Sequence, residues 1–238
     1  MSETIKELDE LRQESLNTQL KDELPICLCI DTSFSMYQPG ARKRTESVMR
    51  KLTQLREKTE ESERLKNRGR VSVVAFNSTL PGGAQLLKSM EKLNTPLPHL
   101  EFCGGSTLAD GMELALNVLQ REREERDRNG LCTDRCKLFL LSDGGSMDMR
   151  ERLVEVQKKA QELQDQNIVE IVCVDVSNGL DERKRKTLKG FLRKNAEISA
   201  PDELEALSVS GLFSAAASAS GRTTGRLDAN GRMLNSYE

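Results

Sequence analysis

The sequence predicts an α/β fold: a doubly wound, mostly parallel central sheet with one antiparallel edge strand and helices on both faces. Three observations predict it. Short apolar runs of strand length alternate with longer amphipathic stretches. Two of the runs, Ile26 to Ile30 and Lys137 to Leu141, are apolar nearly throughout, as strands covered on both faces require. A third run, near Leu86, fits neither period and follows the turn Pro81-Gly82-Gly83, as a hairpin partner at a sheet edge would.

Taken in order, residues 1–22 are charged and read as an N-terminal helical extension. Ile26-Cys27-Leu28-Cys29-Ile30 is the first strand and ends at Asp31. Ala41 to Glu63 carries Val48, Leu52 and Leu55 at helical spacing. Val71 to Phe76 is the second strand, and Leu86 to Leu93 its antiparallel partner. Pro96 and Pro98 then break the chain. Leu108 to Arg128 sets Leu108, Met112, Ala115, Leu116 and Leu119 on one helical stripe. Lys137 to Leu141 is a strand, Asp148 to Gln166 a helix, Ile168 to Val174 a strand and Asp181 to Lys194 a helix. Asp202 to Ala219 is a further helical pattern rich in Ala and Ser, and 221–238 reads as a flexible tail. The domain is therefore expected over 23–220.

Composition narrows the function. Aromatic residues are only 3% of the chain and Trp is absent, so the core must be aliphatic. Net charge is -2, which gives no reason to bind nucleic acid or an anionic membrane. The first residues lack the basic start and apolar run of a secretory signal, and no run is long enough to span a bilayer. Cys27, Cys29 and Cys173 lie in strand-like runs, where a reduced thiol behaves as a small hydrophobe; a cytoplasmic setting is expected.

Three motifs fall at carboxyl ends of strands: Asp31-Thr32-Ser33-Phe34-Ser35, Gly104-Gly105-Ser106-Thr107 and Ser142-Asp143-Gly144. Open α/β sheets bind ligands at that edge, near the point where the strand order reverses. The side chains offered are carboxylates and hydroxyls, with no His or Cys, which suits a hard cation such as Mg²⁺. Two carboxylates leave a divalent ion with spare positive charge and room for a carboxylate from another molecule. As an isolated turn, Asp-x-Ser-x-Ser needs no metal; the argument rests on the three motifs occurring together.

The three motifs resemble the metal-ion-dependent adhesion site of von Willebrand factor type A domains, over about Pro25 to Val176. The resemblance implies that Asp31, Ser33, Ser35, Ser106 and Asp143 bind Mg²⁺, Mn²⁺ or Ca²⁺. Ser106 aligns with the family's usual Thr, and Thr107 is the alternative. Phe34 stands where the family usually has Gly, adding an apolar residue to the docking surface. The long charged helix and the Ser-rich run from Leu207 resemble a bacterial cytosolic subgroup associated with tellurite resistance. That subgroup sits in stress-response or phage-defence cassettes with a Ser/Thr kinase and a PP2C-type phosphatase. The implied function is a non-enzymatic module that docks a partner's acidic side chain on the ion. The alternatives are a phosphoester hydrolase with Asp31 as nucleophile, for which Ser33 is a poor stand-in for the usual second Asp, and a metal-free scaffold.

Other features have plainer readings. Cys132 and Cys136 lack the further ligands a zinc site needs and read as part of an exposed loop. His99 reads as a loop residue. The mixed charges of Arg121 to Arg128 and the run Arg183 to Lys186 read as solvated helix faces. Asp175 reads as lining the docking face, and Asp181 as a helix cap.

Overall fold

Strand β1 (Leu24–Asp31) is buried along its whole length, which the even apolar character of its sequence demands. It lies at the centre of a five-stranded sheet in a computed structural model that describes residues 23–54, 66–129, 135–177 and 179–200. The remaining elements are α1 (Pro39–Gln54), β2 (Gly69–Phe76), β3 (Ala84–Lys92), α2 (Leu108–Arg128), β4 (Cys136–Ser142), α3 (Arg150–Asp165), β5 (Val169–Asp175) and α4 (Glu182–Lys189). Strand order is β3-β2-β1-β4-β5. All neighbours run parallel except β2 and β3.

Alternation along β1 divides the core. Ile26, Leu28 and Ile30 face α1, with Val48, Met49 and Leu52. Cys27 and Cys29 face the other layer, where α2, α3 and α4 contribute Leu116, Val156 and Leu188. The expected doubly wound architecture is thus present, with its antiparallel edge.

Several boundaries differ from expectation for local reasons. Helix α1 starts at Pro39, whose fixed φ and missing N–H suit a first turn; residues 55–63 of the predicted helix lie outside the described residues. The weak periodicity of β3 reflects a bulge: its register to β2 shifts around Val73, Met90 has φ 44°, and the Met90 amide donates to Ser72 Oγ at 3.0 Å. Helix α4 stops at Lys189, before Gly190, and Phe191 and Leu192 are buried from a turn instead. Cys136 is no exposed loop residue: it opens β4 and is fully buried. Cys132, the 1–22 extension, the helix expected from Asp202 and the 221–238 tail lie outside the described residues. Among the described residues no helix is long and apolar enough to cross a membrane.

The order of connections sets the site. From β1 the chain passes through α1 to β2 on one side, and from β3 it returns through α2 to β4 on the other. The carboxyl ends of β1 and β4 therefore lie side by side where the winding reverses.

Candidate metal centre

Asp31 is the last residue of β1, and its side chain is wholly buried. Its Oδ1 accepts a bond from the Ser33 amide at 2.9 Å. Its Oδ2 accepts from the hydroxyls of Ser142 at 2.8 Å and Ser106 at 3.0 Å. Burial outweighs these bonds and pushes the carboxyl up to about 6.

The residues after Asp31 pass from buried to exposed, with Thr32 and Ser33 buried and Phe34 and Ser35 exposed. Ser33 Oγ and Ser35 Oγ are 3.1 Å apart, and the Ser35 hydroxyl is among the groups that stabilise the ionised Asp143 carboxylate. Phe34 turns outward, with 68% of its surface exposed. Its amide donates to the Gly104 carbonyl at 2.9 Å, which joins this loop to the second motif.

The structure discriminates between the two middle hydroxyls. Ser106 is buried and reaches Asp31. Thr107 precedes α2 and donates to the Gly83 carbonyl at 2.7 Å, away from the cluster. The start of α2 is held from another loop, since Asp148 Oδ2 accepts from the Ala109 amide at 2.9 Å and from Ser146 Oγ at 2.5 Å.

Asp143 follows β4. Its Oδ1 accepts from the Gly145 amide at 2.9 Å, and its Oδ2 from Lys184 Nζ at 2.8 Å. Burial alone would raise this carboxyl, but the Lys184 ammonium and the Gly145 amide outweigh it and hold it below the usual range. Asp143 in turn raises the lysine above its ordinary value. Gly144 has φ 76°, and a Cβ there would lie 2.8 Å from the Lys184 carbonyl oxygen, so the first turn of α4 packs against this loop.

All five residues singled out from the sequence thus join one cluster built from three loops. Two further residues belong with them. Ser142 was legible in principle: parallel pairing sets Ile30 against Leu141, so the next residues, Asp31 and Ser142, meet. Lys184 carried no signal beyond being one of four adjacent cations. A layer behind the site fixes the loops. Asn77 Nδ2 donates to Thr32 Oγ1 at 2.8 Å, the Cys103 amide donates to the Thr32 carbonyl at 2.9 Å, and the Gly105 amide donates to Ser78 Oγ at 2.9 Å. Asp175 does not join the cluster; its Oδ1 accepts from the Ser177 amide and hydroxyl. Asp181 caps α4 as expected, accepting from the Lys184 amide at 2.8 Å. His99 is an exposed loop residue.

The donor set fits a hard divalent cation. Among the described residues no three His, Cys, Asp or Glu side chains gather as a metal cluster, so hydroxyls must supply much of any shell. Linked oxygens of Asp31, Ser33, Ser35, Ser106 and Ser142 lie 2.8 to 3.1 Å apart. Of the two carboxylates, one already carries an ammonium, so the shell undercompensates a divalent charge.

A family model described as von Willebrand factor type A domain matches residues 26–146, which contain all three motifs. No curated protein matches the chain in sequence. Among solved structures, the fold is similar to the pilus adhesin SpaC of Lactobacillus rhamnosus GG in its open conformation (TM-score 0.55, 14% identity, covering 83% of this chain and 30% of that one). It is similar to proximal thread matrix protein 1 of the mussel byssus (TM-score 0.55, 17% identity, covering 82% and 46%). A PilB minor pilin mutant from Streptococcus sanguinis is also similar (TM-score 0.51, 10% identity, covering 84% and 64%). The chain spans less than half the length of the first two.

Proposed function

Because this chain belongs to the von Willebrand factor type A domain family, we propose that it is a metal-dependent protein-docking module. It holds Mg²⁺, or Mn²⁺ or Ca²⁺, through Asp31, Ser33, Ser35, Ser106 and Asp143, and presents the ion to an acidic side chain of a partner. One observation carries this reading: oxygen-bearing side chains from three loops converge at the reversal point of the sheet, where Asp31 accepts from Ser106 and from the Ser33 amide, Ser33 meets Ser35, and Asp143 lies close enough to act on the Asp31 carboxyl. When bound, the ion supplies an electrophilic docking point. The protein's part is to hold the hydroxyls and to keep the shell short of negative charge.

The chain is proposed to be non-enzymatic. Asp31 is a poor candidate nucleophile, since it is buried and both its oxygens accept hydrogen bonds. For the finer setting, we propose the tellurite-resistance-associated bacterial subgroup, on the strength of the charged helix and the Ser-rich run from Leu207. A cytoplasmic location and a Ser/Thr kinase or PP2C-type phosphatase partner follow from that proposal.

The test is a thermal melt in EDTA and in excess Mg²⁺, followed by pull-down of a candidate kinase and phosphatase. At a metal concentration of about 100 Kd the melt is expected to rise by roughly 5–10 °C. Asp31→Ala should abolish both the rise and the pull-down. Equal melts in EDTA and in each of the three metals would leave only a metal-free scaffold, and turnover of a phosphoester would defeat the non-enzymatic reading.

A further inference from the structure

Six large apolar side chains are exposed among the described residues, and four of them, Phe34, Tyr37, Met147 and Met149, stand on the two loops that border the metal cluster. Their exposures run from 56% to 77%, in a chain with only 3% aromatic residues. Scattered exposed hydrophobes are ordinary, but apolar side chains gathered around one polar site mark a contact surface.

The pattern is built residue by residue. In the first loop Ser33 is buried beside Asp31 and Ser35, itself exposed, meets it at 3.1 Å, while Phe34 turns out and stacks on Tyr37, with ring centroids 6.1 Å apart. In the other loop Ser146 and Asp148 turn inward to bond each other and the α2 amide, while Met147 and Met149 turn out. The two rims are fixed to the same turn: the Phe34 amide bonds Gly104, the Met147 amide bonds Ser106 at 2.9 Å, and the Met147 thioether lies over Gly105. The apolar rims thus flank the Ser106 turn from two sides.

Resting on the docking reading above, we infer that the segment seated here is a protein chain with one carboxylate flanked on both sides by bulky apolar side chains. Charge complementarity chooses the centre. An ion held mostly by hydroxyls and by two carboxylates, one of them already paired with Lys184, keeps a free affinity for an anionic group. The neighbours choose the flanks: the rim is uncharged, which disfavours nucleic acid and favours aliphatic or aromatic partners. Methionines suit a surface that adapts to several such side chains. Covering the rim also excludes water from the metal–carboxylate contact and strengthens it.

The experiment uses the full chain and fluorescein-labelled nine-residue peptides in anisotropy titrations, in Mg²⁺ and in EDTA. The probes have a central Asp flanked by leucines, a central Asp flanked by serines, and a central Asn flanked by leucines. The Leu-flanked Asp peptide is expected to bind at least tenfold more tightly than the Ser-flanked one, only in Mg²⁺, with the Asn peptide silent. The double variants Phe34→Ser/Met147→Ser and Tyr37→Ser/Met149→Ser should lose that preference yet keep the metal-induced rise in melting temperature. Equal affinity for the two Asp peptides, binding of neither up to the solubility limit, or a preference that survives both double variants overturns the inference. So does Mg²⁺-dependent dimerisation blocked by the same variants, which would make the occupant a second copy. Any of these with the metal-induced rise intact leaves the metal reading standing, whereas loss of that rise in the native protein is the failure of the docking reading itself.

Discussion

Lys184 is the residue whose part in the site is least evident from its surroundings in sequence. Its ammonium lies 2.8 Å from Asp143 Oδ2 while a third of its side chain stays exposed. A cation tied to a carboxylate proposed to hold the metal opposes a second cation nearby, and the exposure limits that opposition through solvent screening. Lys184→Gln keeps a donor and removes the charge, so Mg²⁺ should bind about tenfold more tightly, which is ~1.4 kcal/mol. Isothermal titration calorimetry of the two proteins measures this, and unchanged or weaker binding would show that the ammonium does not compete. The proposed ligands were legible because they sit in short motifs with fixed offsets. Asp31 ends one strand, and Ser33 and Ser35 follow it at offsets of two and four residues. The Lys184 contact joins residues 41 positions apart, through the approach of α4 to the β4 loop. No local pattern encodes such an approach, and the same holds for Asn77 on Thr32.

At the scale of elements, helix α2 lies so close to β2 that one residue type alone fits at Gly111. A Cβ at that position would stand 2.3 Å from the Phe76 ring, itself fully buried. The helix also begins one residue after Thr107, beside the Ser106 turn, so a displacement of α2 reaches the metal cluster. Gly111→Ala gains helix propensity, worth about 1 kcal/mol, but the ring cannot yield in a close-packed core, and overpacking costs about 1–3 kcal/mol. The net expectation is a lower urea midpoint together with weaker Mg²⁺ binding. A higher midpoint with unchanged metal affinity would mean that the helix and sheet separate freely. Strands and helices themselves were readable wherever apolar period and length agreed, as in β1, α2 and β4. They blurred where a non-local demand intervened. A bulge broke the period of β3, and α4 ended at Lys189 because burial of Phe191 and Leu192 is achieved by a turn rather than by more helix. Nothing in the sequence around Gly111 distinguishes a helix glycine required by close approach from one merely tolerated.

For the molecule as a whole, the buried Asp31 ties stability to pH, and the sign of that tie should depend on the metal. Without divalent ions the folded carboxyl ionises at about 6 and the unfolded one near its ordinary value, because burial opposes the charge. Between those values the folded state holds more protons than the unfolded state, so stability falls as pH rises from about 4 to about 6 and then levels, by on the order of 3 kcal/mol. Asp110, raised by burial and by Asp148, acts in the same direction. Asp143 acts oppositely: held low by Lys184 despite its burial, it gives stability present above the ordinary carboxylate value and lost as pH falls below it. The chelated protein should therefore be most stable in mild acid. With Mg²⁺ at about 1,000 Kd, worth about 4 kcal/mol, the slope reverses over the same window, since the ion requires ionised Asp31 and its stabilisation disappears as that proton returns. Urea denaturation between pH 4 and 8, in EDTA and in Mg²⁺, should give a falling and a rising curve respectively. Asp31→Asn should remove the Asp31 component from both, leaving two curves that superimpose. If the variant retains opposite slopes, the buried group that links proton, metal and fold lies elsewhere than at the end of β1.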